Sequence, residues 1–468
     1  MISVRRLGSA RLAAAVLASG LVAAGAIATA GPAAADDTTP HQGGATATLG
    51  GLKTSDFAVI HPEGAKDQRV GAGLFEMNVD GGGTLQTYCI DIHNPTQRQA
   101  EYKEVPWSAS SLHNNADAGK IRWILQNSYP QVNDLSKLAS SAGTGTLSEK
   151  TAAAGTQVAI WRYSDHVKVD AVDPEAEKLA DFLEKSAKDL DEPKASLTLD
   201  PAAVSGKSGD RLGPIKVNTD AANVTVTPDA AAAGTGVKVV NKDGKPVTSA
   251  LNGSELFFDV PTGTPDGSSS LTVQATTTVP VGRAFASETK SQTQILAGSS
   301  DSTVTATATA NWAKKGASPA LTAEKNCAKG GVDITASNEG DEPFTFELQG
   351  TKHTIEAGKS ETVTVPVTED QAYDFTITGP NGFEKKFSGV LDCKTAEIPS
   401  GGTDEPVSEP SAATTGGSDG GSTGGEGDLA ETGSSNATPM IAGIAVAFLA
   451  VGGGTVFFLR KRRATAGE

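Results

Sequence analysis

The stretch Leu85-Gln86-Thr87-Tyr88-Cys89-Ile90-Asp91-Ile92 decides how the N-terminal region of this chain folds. Its β-branched and aromatic residues favour a strand, because such side chains pack well on a pleated surface. Side chains alternate along a strand, so Cys89 faces away from Tyr88 and Ile90 and shares its face with Asp91. A free cysteine is most often a small buried hydrophobe, and an inert Cys89 is the simplest interpretation.

A second unusual residue, Gln157, lies on a helix predicted over about 148–163. Its neighbours three and four positions away are apolar: Ala153, Ala154, Ile160 and Trp161. Burying an amide without partners costs about 1–3 kcal/mol. Gln157 must therefore be hydrogen-bonded, turned to solvent, or chemically changed, and a satisfied core amide is the simplest of these.

The region 45–193 carries further helix signals and is predicted to be an α+β domain. A helix near 120–128 places Ile121, Ile124 and Leu125 on one face. Another helix is expected to begin at Asp173-Pro174, because an acidic cap followed by proline is typical of a helix start.

Two motifs in this region, Tyr88-Cys89-Ile90-Asp91 and Thr156-Gln157-Val158-Ala159-Ile160-Trp161, resemble those of bacterial thioester domains, found at the tips of Gram-positive surface adhesins. The resemblance covers about 45–193. It implies an internal thioester that joins the Cys89 sulfur to the Gln157 side-chain carbonyl and forms with loss of ammonia. Such a bond would explain both the free thiol and the buried amide.

A thioester carbonyl is a good electrophile with a stable leaving group, so an amine that meets it forms an amide and frees the cysteine. Hydrolysis competes with this reaction, and the bond should be shielded from water until a target docks. Tyr88 and Trp161 are the candidates for that shield. Plain core packing is the alternative role for both.

The N-terminus is predicted to be a cleavable export signal over residues 1–35. Three arginines precede an uncharged run over 12–30, and an alanine triplet ends at Ala35. An uncleaved anchor is the alternative. The expected location of the chain is therefore outside the cell.

The C-terminus carries a second targeting signal. A Gly-, Ser-, Thr- and acid-rich stretch over 396–428 cannot bury a core and is expected to be a disordered linker. It leads to Leu429-Ala430-Glu431-Thr432-Gly433, an apolar run over 440–459 and a basic tail over 460–468. The run is long enough for a transmembrane helix, with a buried soluble helix as the alternative, and the tail would be cytoplasmic.

The order of pentapeptide, apolar span and basic tail resembles a sortase wall-sorting signal. That resemblance implies cleavage between Thr432 and Gly433 and transfer of the Thr432 carbonyl to a peptidoglycan amine. Ala430 stands where the common signal has proline, as in the variant of high-GC Gram-positive bacteria. If Ala430 defeats recognition, the protein stays on its membrane helix.

The other two cysteines bracket a β-rich region predicted over 318–395. Alternating apolar residues between turns indicate a small immunoglobulin-like β-sandwich. A disulfide between Cys327 and Cys393, joining its first and last strands, is the natural pairing in an exported chain and leaves Cys89 unpaired. The region 194–313 has similar alternation and is predicted to be a second sandwich, so the two would form a stalk.

Charge and composition limit the partners. The chain has 468 residues and a formal net charge of −16, and from Asp36 to Gly433 it holds 32 basic and 54 acidic residues. Such an excess of acid disfavours binding to nucleic acid or to an anionic lipid surface. The six histidines are scattered without ligand spacing, so neither a metal nor another cofactor is expected.

The sequence thus predicts a wall-anchored adhesin that captures an unknown surface amine through Cys89 and Gln157 and is not an enzyme. Two other functions stay open. One is a cysteine-nucleophile enzyme with His93, His113 or His166 as base, and the other is a wall protein that binds noncovalently, with Cys89 inert.

Overall fold

The computed structural model describes residues 41–230 and 234–394. Several predicted features lie outside these ranges: the signal peptide with Ala35, residues 395–428, the pentapeptide Leu429 to Gly433, the apolar run 440–459 and the basic tail. Within the described ranges, every helix is too short or too polar to cross a membrane.

The N-terminal part holds all four α-helices of the described residues. In chain order its elements are β1 (His41–Gly44), β2 (Thr46–Ile60), β3 (Gln68–Val79), β4 (Thr84–Cys89), β5 (Glu101–Val105), α1 (Ala118–Asn127), α2 (Leu135–Ala142), α3 (Glu149–Ser164), β6 (Val169–Ala171) and α4 (Pro174–Ser186).

The remaining described elements are strands and short turns of 3₁₀ helix. The middle part contains β7 (Leu197–Asp200), β8 (Ala203–Lys207), β9 (Arg211–Thr219), β10 (Val224–Pro228), β11 (Lys238–Asn241), β12 (Ser249–Ala250), β13 (Glu255–Asp259), β14 (Gly267–Thr277), β15 (Ala284–Ser287), β16 (Gln294–Ser299) and β17 (Ser302–Ala313). The last part contains β18 (Pro319–Asn326), β19 (Gly331–Asn338), β20 (Phe344–Leu348), β21 (Thr351–Ile355), β22 (Lys359–Pro366), β23 (Ala372–Thr378) and β24 (Glu384–Val390).

Six antiparallel strands close into a ring in the order β2, β3, β4, β16, β15, β5 and back to β2, and β6 extends β2. Two of the six, β15 and β16, come from residues 284–299. The sequence placed these residues in the stalk region 194–313, so the expected division near 193 does not follow the strand pairing. Period-two alternation identifies a strand but not its partner, which is why this pairing was missed.

The helices pack against the ring and against one another. α3 contacts β2, β3 and β4 of the ring and also α1 and α4. The expected caps are present: the Ser148 side chain accepts from the Thr151 N–H, and Asp173 accepts from the first turn of α4. At Gly155 an added Cβ would lie 2.5 Å from the Ala176 carbonyl oxygen, so this glycine lets α3 and α4 approach closely.

Two further sheets pack beside the ring. One has the order β11-β13-β9-β7; the other has the order β1-β17-β14-β10-β12, with β8 parallel to β17. Their core is continuous with that of the ring, since Met77, Leu85 and Tyr102 belong to the same hydrophobic cluster as Leu197 and Phe258. The ring and these sheets therefore share one hydrophobic core and are not two independently folded domains.

The last part has its own core around Phe344, Phe346 and Ile334. It contains the sheet β18-β19-β22 and the hairpins β20-β21 and β23-β24. A disulfide joins Cys327 to Cys393 across 66 positions of sequence. The paired strands give this region a mostly β structure, and an immunoglobulin-like arrangement stays a prediction.

Candidate functional site

Cys89 is the last residue of β4. The sequence predicted a strand through Ile92, but the chain turns earlier because Asp91 organises a bend. The Asn94 N–H donates to the Asp91 carbonyl at 3.4 Å, and the Asn94 side-chain amide contacts the Asp91 carboxylate. Side chains of this kind compete with strand pairing by bonding to nearby backbone. The bend places the cysteine at the rim of the ring.

Gln157 meets Cys89 from the middle of α3. The Cys89 N–H donates to Gln157 Oε1 at 3.0 Å, and Gln157 Nε2 donates to the Cys89 carbonyl at 2.8 Å. The two residues are 68 positions apart in sequence, and both are fully buried at 0% exposure. The structure thus brings the two predicted partners together and satisfies the buried amide.

Both ends of the Gln157 carboxamide are held by hydrogen bonds to the Cys89 backbone. A hydrogen bond to Oε1 withdraws electron density from the Gln157 carbonyl carbon, as an oxyanion-hole donor does. Attack by the Cys89 sulfur on that carbon would form a C–S bond and break the C–N bond. The thiol proton would leave with Nε2 as ammonia, so the atoms balance.

The Cys89 thiol sits in surroundings that favour its neutral form. Burial raises its pKa well above the ordinary value, and the carboxylates of Asp165 and Asp91 raise it further. The Asp91 N–H donates to the sulfur at 3.3 Å, and both this hydrogen bond and the Trp161 indole lower the pKa of the thiol. Asp165 is half-buried, and the loss of solvation raises its pKa to about 6.

The two flanking aromatic residues occupy different places. Trp161 lies one helical turn after Gln157, is 3% exposed, and lowers the pKa of the Cys89 thiol. Tyr88 is fully buried and its hydroxyl donates to the Tyr129 carbonyl at 2.8 Å, so it is a core residue anchored to the chain after α1. Their role as a shield stays a prediction.

Sequence reasoning missed a row of buried polar residues on the other side of Cys89. Residues 291–294 are all nearly or fully buried, and Gln294 is the strand partner of Cys89. The Thr87 hydroxyl donates to Gln294 Oε1 at 2.9 Å, and the Tyr102 hydroxyl donates to the Gln292 carbonyl at 2.8 Å. The polar run Ser291-Gln292-Thr293-Gln294 before an apolar strand was the available signal.

The disulfide-containing part of the chain reaches the same rim. The Thr293 hydroxyl donates to Asp392 at 3.3 Å, and Lys290 pairs with Asp370 at 2.9 Å. Burial raises the pKa of Asp392 to about 8, with a further contribution from Asp91. The carboxylates of Glu369, Asp370 and Asp392 lie within 4.8 Å of one another, but an acidic cluster alone does not identify a metal site.

The candidate bases of the enzyme hypothesis have different surroundings. Burial lowers the pKa of His93. The His113 ring contacts the Ser110 carbonyl at 3.1 Å and the Asn114 amide at 2.7 Å. His166 follows α3 in a left-handed backbone conformation, with φ at 53°. These positions do not single out one histidine as a partner for the thiol.

Two segments match family models. Residues 86–189 match the thioester domain, and residues 319–390 match the C-terminal domain of bacterial phospholipase C. A comparison with curated proteins finds no match.

The chain is also similar to solved structures of TIE proteins and their thioester domains. The Bacillus anthracis TIE protein is 15% identical, with 75% of this chain and 81% of that one covered and a TM-score of 0.27. The thioester domain of Enterococcus faecium TIE86 is 18% identical over 60% and 99%, with a TM-score of 0.27. That of the Staphylococcus aureus TIE protein is 12% identical over 57% and 98%, with a TM-score of 0.23.

TM-scores this low do not establish a common fold, and the family match stands on the sequence. The matched segment contains both Cys89 and Gln157. Over residues 86–189 this chain therefore matches the thioester-domain family.

Proposed function

We propose that this protein is a surface adhesin that attaches covalently to an amine on its target through a thioester between Cys89 and Gln157. The observation that carries the proposal is the pair of hydrogen bonds between the Gln157 carboxamide and the Cys89 backbone inside a fully buried site. The match to the thioester domain over 86–189 supports it.

Capture of an amine follows from the same chemistry. The amine nitrogen would form a bond to the Gln157 carbonyl carbon while the C–S bond breaks. The electron pair goes to the sulfur, and the amine proton ends on the released thiol. Because the thioester is not regenerated, each molecule reacts once, and we propose that the protein is not an enzyme.

We also propose that the protein is exported and anchored to the cell wall. The N-terminal signal, the Leu429 to Gly433 pentapeptide, the apolar run and the basic tail support this location. The partners would be a sortase, a peptidoglycan amine and a target with an accessible amine. Anchoring at the wall would turn one covalent bond into a stable attachment between surfaces.

The deciding experiment is the intact mass of residues 36–414, which include every described strand and helix. A mass short by one ammonia, together with a methylamine adduct on Gln157 after treatment, is the expected result. Cys89→Ala and Gln157→Ala are the matched controls, and both must show the full mass and no adduct.

A full wild-type mass with a titratable thiol would overturn the covalent function. Turnover of a thioester or amide substrate that Cys89→Ala abolishes would instead support the cysteine enzyme. Target binding that survives both substitutions would support noncovalent binding.

A further inference from the structure

Two N–H groups are available to the Cys89 sulfur: one is hydrogen-bonded to it, and the other is the buried Trp161 indole N–H. The Asp91 backbone N–H donates to it at 3.3 Å from within the bend that ends β4. The Trp161 indole lies on α3, one turn beyond Gln157, and lowers the pKa of the Cys89 thiol. The two donors belong to different elements, and both are fixed by the packing of the buried site.

The Trp161 nitrogen is conspicuous because it is buried and has no ordinary hydrogen-bond partner in the described part of the chain. Leaving a buried donor unpaired costs about 1–3 kcal/mol. A tryptophan used only for packing would normally direct its N–H to a carbonyl, as Trp107 does toward Gly282 at 2.8 Å. Sulfur is a weak acceptor as a thiol and a much stronger one as a thiolate.

We propose that the Trp161 indole N–H and the Asp91 backbone N–H form a donor pair that stabilises the Cys89 thiolate as it leaves during amine capture. This inference rests on the proposed function, because the sulfur becomes a leaving group only if the thioester forms. As the amine nitrogen bonds to the Gln157 carbonyl carbon, the C–S electron pair moves to the sulfur. The donor pair faces the charge that develops there.

The roles around the reacting carbon then divide between different donors. The Cys89 N–H stabilises negative charge on Oε1, and the donor pair stabilises it on the sulfur. Burial opposes thiolate formation and raises the thiol pKa. Because the effective dielectric constant of a buried site is low, hydrogen bonds to the departing sulfur are stronger there than in water.

The test is the rate of methylamine capture by Trp161→Phe, which keeps an aromatic ring and removes the N–H. The rate should fall about 10- to 100-fold, the range for a lost hydrogen bond to a charged group. The thioester should still form, as judged by the missing ammonia. Trp107→Phe loses an indole hydrogen bond elsewhere and should react at the wild-type rate. An unchanged rate in Trp161→Phe would overturn the proposal.

A second variant covers the case in which phenylalanine disturbs the fold. Benzothienylalanine at position 161 keeps the shape of the indole and replaces its N–H with sulfur, so the same slowing is expected. If this isostere captures methylamine at the wild-type rate, the proposal is wrong.

A variant with a free Cys89 thiol tests the donor pair independently of the proposed function. In Gln157→Ala no thioester can form, and the pH dependence of alkylation by iodoacetamide reports the thiolate. Adding Trp161→Phe to Gln157→Ala should shift that dependence to higher pH, and adding Trp107→Phe should not. An absent shift would overturn the donor pair even if the wild-type protein holds no thioester.

Discussion

Arg283 and Glu104 form a buried ion pair, with Nε of the arginine 2.9 Å from a carboxylate oxygen of the glutamate. Glu104 also accepts from the backbone N–H groups of Ala45 and Ser196, and Arg283 donates to the Pro193 carbonyl. One charge lies on β5 and the other immediately before β15. The pair therefore fastens the segment 284–299 to the ring that carries Cys89.

A fragment that ends at residue 193 is expected to lack a formed reactive site. It omits β15 and β16, including Gln294 beside Cys89, and leaves Glu104 without its arginine. Residues 36–193 should therefore give a disordered amide spectrum by NMR and a full mass. Residues 36–414 are the comparison, and a folded short fragment that has lost ammonia would contradict the ring topology.

Glu104→Ala should destabilise the protein by about 3–5 kcal/mol, because it removes the buried carboxylate that pairs with Arg283 Nε and accepts from two backbone N–H groups, and leaves Arg283 only its partly exposed partner Glu192. Urea unfolding monitored by circular dichroism measures this change. Glu76→Ala is a matched control, since Glu76 pairs with Lys53 on the surface, and its effect should be within about 1 kcal/mol. Equal effects of the two substitutions would show that the buried pair adds nothing.

Gly155→Ala should destabilise the packing of α3 on α4. Alanine favours helices by about 1 kcal/mol over glycine, but its Cβ would meet the Ala176 carbonyl at 2.5 Å. The net expectation is a loss of about 1–3 kcal/mol from overpacking. The thermal unfolding midpoint measures it. Gly234→Ala, where an added Cβ meets open space, is the control, and a stabilised Gly155→Ala would refute the close approach.

The buried Asp392 should make stability fall as pH rises. Its pKa is raised from 3.8 to about 8 by burial, so between these values the folded chain keeps a proton that the unfolded chain has lost. Protons favour the folded state there, and unfolding becomes easier up to about pH 8. Asp392→Asn should flatten this dependence.

Urea midpoints measured across that pH range test the prediction. Asp341→Asn is the matched control, because the Gly316 N–H and Lys207 lower the pKa of Asp341. The contribution of the Asp341 carboxylate to the free energy of unfolding is present above the ordinary pKa of the group and is lost only as the pH falls below that value. It should therefore leave the slope between pH 4 and pH 8 in place. An unchanged slope in Asp392→Asn would contradict the assignment.

The local features of the site were readable from the sequence, whereas its long-range partners were not. The predicted helix over 148–163 corresponds closely to α3, because Ser148 is a strong cap signal. Cys89 and Gln157 were each locally unusual, and both lie in the matched thioester-domain segment. These features depend on residues a few positions apart, and at that range the spacing in the sequence predicts which side chains share one face of a helix or strand.

The helix α2 and the ring partners β15 and β16 were missed for a different reason. α2 is only eight residues long, so its apolar period is short. Residues 284–299 have ordinary strand composition, and nothing in them indicates that Gln294 pairs with Cys89. Such pairing is decided by how the whole core is packed, which a local pattern does not contain.

Strand β16 pairs with β4 across about 200 residues of sequence, and this separation bears on the order in which the three cysteines become able to react. In the proposed export, which runs from the N-terminus to the C-terminus, Cys89 would emerge first, and its partner strand, which ends at residue 299, would emerge before Cys327 and Cys393. The ring can therefore enclose the first thiol while it is still the only cysteine outside. Closing the loop between Cys89 and Gln294 is slow, because the chain loses conformational entropy before the contacts between β4 and β16 form. Once closed, the ring would keep Cys89 from exchange with the later cysteines, so the Cys327–Cys393 disulfide could form without consuming the thiol that the proposed function needs.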